Sequence, residues 1–273
     1  MKKYFYLNSK ILQSWYLFYL ALAYLIFQFA MTQFMRMPPD QIIDEIGILY
    51  LFNGLPMRLT ALIIGSVLLV LLLVSNYLIS FRWFRILVFV LFLLVEAFYN
   101  TNGLKTNIFL FWFWACFALC FCPSVRKNHD LKSFYYLVWT QWFQRSLVLL
   151  LYFQSGVWKT VGLVEQIYNN EAHALTRKGL SYHLASEMIR TGNRPVWTDF
   201  ILQNTFFNTL MVLSVFVIQL GTIVFILRPK NYRIIGGLLM IFHIGSFFSL
   251  SITYPTNFLL VMILFLKSPE IEL

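Results

Sequence analysis

Apolar and polar positions do not alternate along this chain. Apolar residues run on without interruption, as in 67–74 and 86–95, and polar residues collect between the runs. Eight runs stand out between clusters of charge, Pro and Asn/Gly punctuation: 14–34, 59–79, 84–98, 107–122, 135–159, 205–227, 234–252 and the short 257–266. A spanning strand would show a period of two, apolar toward lipid and polar toward the lumen. Unbroken runs predict helices instead, because a helix satisfies its own backbone hydrogen bonds in hydrocarbon. The expected fold is all-α, a polytopic transmembrane helix bundle of about eight spans, forming a single domain.

Composition supports lipid as the solvent. The chain has 273 residues, 60% of them apolar and only 12% charged. Soluble domains carry about 25% charged residues. The mean hydropathy is positive. A first run that continues through residues 15–34 is long enough to span, so it reads as an uncleaved first helix and not a removed leader.

The net charge of +10 would suit nucleic acid, but no basic domain is left once the spans are removed, so none is expected as a partner. The cations sit in short clusters between runs, as the positive-inside rule describes. With the N-terminus in the cytoplasm, Lys2, Lys3, Lys10, Arg82, Arg85, Arg126, Lys127, Lys132, Arg228, Lys230, Arg233 and Lys267 all fall inside. Four of the outer cations, Arg177, Lys178, Arg190 and Arg194, lie in one long loop, where the rule is weakest. An even number of spans returns the C-terminus to the cytoplasm. The expected location is a bacterial inner membrane, with the lipid bilayer as the first partner.

The long outer loop, residues 160–204, is the one sizeable segment outside the runs. Within it, 171–189 mixes Ala172, Leu175, Leu180, Leu184 and Met188 with charged residues, which predicts an amphipathic helix lying in the interface.

An ionisable group at membrane depth is expensive and therefore points to function. Lys159 closes the fifth run. It reads either as a lysine snorkelling beside Trp158 or as a desolvated base, in which case it should be buried beside Glu96 or His243. His243 lies deep in the seventh run among Gly245, Ser246, Ser249 and Ser251. Its plainer reading is a neutral ring bonded within the bundle. Glu96 lies in the outer half of the third run, either paired with Lys159 or solvated near headgroups. Arg145, with Gln141 and Gln144, reads as a residue that bonds carbonyls and holds the bundle together.

Cys116, Cys120 and Cys122 share one apolar run and read as small buried hydrophobes. His173 and His183 lack a metal-ligand spacing, and no metal is expected. No catalytic serine order, phosphate loop or dinucleotide glycine pattern occurs.

Two strings resemble a known family. Tyr152-Phe153-x-x-Gly156-x-x-Lys159, preceded by Arg145, is similar to the lysine motif of the vitamin K-dependent γ-carboxylase-like proteins. Their membrane part is the horizontally transferred transmembrane (HTTM) domain. Phe242-His243, followed by Ser249-x-Ser251-Ile252, resembles the same family's later histidine helix. The resemblance implies a reduced quinone as cofactor, Lys159 as the base that deprotonates it, and His243 in support. Oxygen then yields a quinone epoxide and the base that opens a glutamate to carbon dioxide. Asn107 stands where the carboxylases carry an active-site histidine, and the Trp and Gly that usually follow the lysine are absent. The resemblance covers the membrane part of the carboxylases and not their large luminal region.

A smaller branch of the superfamily, bacterial membrane proteins that mature or export a sporulation-delaying peptide toxin, is similar in size. Phe242-His243-Ile244-Gly245 fits that branch as well. Two functions therefore stand side by side. One is a membrane enzyme acting on a quinone or another lipophilic substrate. The other is a non-catalytic partner in maturation, export or immunity of a secreted bacterial peptide, beside a neighbouring membrane or secreted protein.

Overall fold

A computed structural model describes residues 2–34, 47–101, 109–125, 131–171, 173, 175–176, 179–192, 194–228, 231–250 and 255–267. Among these every regular element is helical. The helices are α1 (Lys2–Phe34), α2 (Met57–Leu73), α3 (Ser75–Leu78), α4 (Arg82–Thr101), α5 (Leu110–Leu119), α6 (Leu131–Tyr168), α7 (Gly179–Thr191), α8 (Thr198–Gln203), α9 (Thr205–Leu227), α10 (Tyr232–Leu250) and α11 (Pro255–Val261). A short 3-10 turn covers Gly47–Phe52, and α11 runs on as a π-helical turn over Met262–Lys267. Among the described residues the eight apolar runs fall chiefly on helix. Three stretches, Tyr6–Gln28, Leu131–Tyr168 and Phe206–Leu227, are long and apolar enough to cross a membrane.

The chain divides into two compact units, one built on Met1–Leu147 and the other on Val148–Leu266. In the first unit α1 packs on α2, α2 on α4 and α4 on α5. The reason lies in spacing. Ile11, Trp15, Phe18, Tyr19, Leu22 and Ile26 are buried on α1, and Ala61, Ile64, Leu68 and Leu72 on α2, each set forming one stripe at helical period. Aromatic rings fill the space between: Phe18 stacks on Trp112 at 5.0 Å, and Tyr19 meets Phe84 edge-on at 6.2 Å.

The end of α5 is held by arginine. A helix C-terminus leaves carbonyls without intrahelical donors, and it carries the negative end of the helix dipole. Arg85, fully buried, meets that need. Its Nε donates to the Leu119 carbonyl at 2.9 Å, its Nη2 to those of Cys122 and Pro123, and its Nη1 to that of Ile79. Trp15 lies against the guanidinium, 5.7 Å from ring centroid to Cζ. Arg82 adds a bond from Nε to the Cys120 carbonyl at 3.0 Å. Arg85, expected among the inner-loop charges, is therefore engaged inside the protein. The thiols nearby are packed as expected: Cys116 and Cys122 are buried, and Cys120 Sγ lies 3.6 Å from the Arg85 carbonyl.

In the second unit α7, α8 and α9 share a small core of Leu180, Leu184, Ile201 and Val212, with Leu175, Met188 and Trp197 packed against it. The helix in this segment begins at Gly179, and its buried leucines face α8 and α9.

The helix that precedes this segment runs on past residue 160. Helix α6 continues for 38 residues to Tyr168. It stops where Asn170 takes a left-handed φ of 54°. Asn170 N–H then bonds the Ile167 carbonyl at 3.2 Å, and Glu171 N–H bonds the Gln166 carbonyl at 2.8 Å. That pair of bonds is the Schellman closure, which Asn tolerates nearly as well as Gly.

Helix α10 meets the π-helical turn that follows α11 at Gly236. A Cβ there would lie 2.6 Å from Phe265 Cβ, whereas one on Gly237 would meet nothing within 4 Å. Gly236→Ala should therefore lower the thermal midpoint of the detergent-solubilised protein by several degrees, while Gly237→Ala should hold or slightly raise it. Equal midpoints for the two variants would refute the close approach.

Candidate functional site

The lysine motif lies in the second unit, on α6. Tyr152, Ser155, Gly156 and Lys159 recur at three- and four-residue intervals and so share one face of the helix. Helix α9 crosses that face. The crossing is close because Gly156 has no side chain: a Cβ there would stand 3.0 Å from Gln219 Cβ and 3.2 Å from the Leu220 nitrogen. Thr222 Oγ1 reinforces the crossing, 3.1 Å from the Leu149 carbonyl.

At this crossing the Lys159 amine folds back onto protein. Its Nζ donates to Ser155 Oγ at 2.9 Å, one turn earlier on the same helix, and to Gln219 Oε1 at 2.8 Å on α9. Gln219 is buried, with 2% of its surface exposed, whereas Lys159 is itself exposed and not buried as the base reading expected. Lys159 is not at a helix end. Nine further residues of α6 follow it, about 14 Å at 1.5 Å rise per residue.

His243, on α10, is paired with Tyr152. The Tyr152 hydroxyl lies 2.6 Å from His243 Nε2, and both residues are buried. With the phenol as donor, the neutral imidazole carries its proton on Nδ1. Phe242 packs edge-on to Tyr152 at 6.5 Å. Seven residues separate Tyr152 from Lys159, about 10 Å along the axis. The expected lysine–histidine partnership is thus replaced by two polar pairs on one helix face: Lys159 with Gln219 and Ser155, and Tyr152 with His243.

Glu96, offered as a partner for Lys159, belongs to α4 in the first unit, 9% exposed. Arg145 is also in the first unit, buried on α6 beside Gln141 and Gln144, and Gln144 Nε2 donates to the Ala115 carbonyl at 3.2 Å. Asn107 lies outside the described residues. Gln219 was missed by the sequence reading. The signal was present, since an amide between Ile218 and Leu220 deep in an apolar helix is costly in lipid. Nothing in the sequence said which helix it faced.

Comparison of the chain with family models, with curated proteins and with solved structures found no match in any of the three. What fold and site define is a class: a protein whose described residues are helical, with three stretches among them able to cross a membrane, carrying a lysine–glutamine pair and a tyrosine–histidine pair where two of its helices pack on α6.

Proposed function

We propose that this is a membrane enzyme that moves a proton between Lys159 and an acidic hydroxyl on a lipophilic substrate, with a reduced quinone as the favoured case. The observation that carries the reading is the placement of the Lys159 amine against Gln219 and Ser155, away from a helix end. A lysine serving only as a snorkelling anchor reaches outward to the headgroups; this one turns back to a buried amide. When bound, a hydroquinone supplies the reductant that reacts with oxygen to give an epoxide and water. The chain's own part is to take the hydroxyl proton at Lys159 Nζ, and the Tyr152–His243 pair holds α10 against the same face of α6. The finer expectations belong to the same proposal: about eight spans, both termini cytoplasmic, a bacterial inner membrane, and kinship with the HTTM and γ-carboxylase-like proteins.

The test is direct. Wild type and Lys159→Ala are purified in detergent and supplied with a chemically reduced naphthoquinone and oxygen, and the epoxide is sought by mass spectrometry. Epoxide from wild type and none from Lys159→Ala is the expected result. Epoxide from both, or from neither with naphtho- and benzoquinols alike, would end the reading.

A second reading has its own observation. The segment after α6 packs into a defined core on α8 and α9, and it leaves Tyr182 and Ile189 exposed. That would suit a non-catalytic partner of a secreted peptide. On this reading substitutions at Tyr182 and Ile189 abolish peptide maturation or immunity, while Lys159→Ala is tolerated.

A further inference from the structure

The Lys159 amine has little freedom left. An amine nitrogen has four tetrahedral positions. One is the bond to Cε. Two are committed to acceptors, Ser155 Oγ at 2.9 Å and Gln219 Oε1 at 2.8 Å. One position remains. In the ammonium form it carries the third N–H, and in the neutral form it carries the lone pair. Proton transfer to or from a ligand can therefore occur in one direction only, away from both acceptors.

Of the two acceptors Gln219 is the stronger constraint. Ser155 sits one turn back on the same helix and moves with Lys159, and its hydroxyl rotates freely. Gln219 comes from another helix and is almost wholly buried. Its Cβ is set by the tight crossing at Gly156. The amide must also present its oxygen to the amine, which turns its nitrogen elsewhere.

We propose that Gln219 is a positioning residue for Lys159: it holds the amine at the α6–α9 crossing and aims its one uncommitted position at the ligand. The inference rests on the reading of Lys159 as the proton-transferring group for its chemical purpose, but its test requires no turnover.

The test is the rate at which Lys159 is acylated by a membrane-impermeant amine reagent in intact protein, read by peptide mass spectrometry. Gln219→Met keeps volume and apolar packing but removes the acceptor, so the freed side chain can swing outward to the reagent. Gln219→Glu keeps the acceptor and adds a countercharge, which holds the amine more firmly. The expected order is several-fold faster labelling in Gln219→Met than in wild type and slower labelling in Gln219→Glu. A purely packing role would move both variants in the same direction or neither, and either result overturns the proposal. Should Gln219→Met fail to fold, Gln219→Asn keeps an amide but withdraws its oxygen by one methylene from the amine, so labelling faster than wild type is expected there too, and a wild-type rate overturns the proposal equally. If the order holds while wild type forms no epoxide, Gln219 still positions Lys159 and the quinone reading alone is lost.

Discussion

Arg85→Ala should be the most destabilising single substitution in the first unit. Alanine leaves the carbonyls of Ile79, Leu119, Cys122 and Pro123 without the donors that Arg85 supplies. Hydrogen bonds involving a charged group contribute about 1.5–3 kcal/mol each, and an unsatisfied buried acceptor costs about 1–3 kcal/mol. These terms share one side chain and do not add, so a loss of about 3 kcal/mol or more is the reasonable expectation. The charge is matched by backbone carbonyls at a helix C-terminus and by the face of Trp15, so its removal acts through those carbonyls and that ring. The measurement is thermal unfolding in detergent with a thiol-reactive dye, because Cys116 and Cys122 are buried beside the clamp and become reactive as it opens. Arg85→Lys should fall between, since an ammonium keeps the charge but cannot reach several carbonyls in a fork. Arg82→Ala, which removes one exposed side-chain bond, should lose far less. A wild-type midpoint for Arg85→Ala would show that the carbonyls find other donors.

Gly156→Val should be the most damaging change in the second unit, acting on stability and site together. The added Cβ meets Gln219 Cβ at 3.0 Å, Leu220 Cδ2 at 3.1 Å and the Leu220 backbone nitrogen at 3.2 Å. The leucine methyl can yield, but the backbone nitrogen cannot without moving α9. Overpacking of this kind costs about 1–3 kcal/mol. The displacement also carries Gln219 away from Lys159, so Lys159 acylation should rise toward the rate of Gln219→Met. Gly162→Ala on the same helix is the control, for a Cβ there meets nothing within 4 Å. It should leave stability and labelling unchanged or add a few tenths of a kcal/mol through helix propensity. Gly156→Val behaving as Gly162→Ala does would mean that the crossing is not close.

These two sites mark where sequence reasoning carries and where it stops. Arg85 was legible as a cation at the edge of an apolar run and was assigned to the inner surface. Its use depends on carbonyls from 119–123, more than thirty residues away, and no local pattern encodes that meeting. Lys159 was legible as an ionisable group at depth, and Gly156 as part of the string that carries the family resemblance. Their partner Gln219 lies sixty residues further on. Its polarity in an apolar run was a fair warning, but its direction was not readable, since the helix it faces follows from how α9 packs on α6.

The sequence by itself determined the material of the protein: helices and their approximate positions, lipid as the solvent that suits them, and a lysine and a histidine as costly groups worth following. It could do so because unbroken apolar runs leave the backbone no other way to satisfy its hydrogen bonds in lipid. It also held the end of α6, had Asn169 and Asn170 been read as a C-terminal signal. Only the tertiary structure decided which side chains meet. Lys159 went to Gln219 and Ser155, His243 went to Tyr152, and the leucines of α7 went to α8 and α9. The physical reason is common to all three. A polar group buried at depth, or an apolar stripe at a surface, must find some partner, and the period of a helix states that need without naming the partner. The partner is chosen by which helices can approach, and at Lys159 that rests on a glycine at the crossing of two of them.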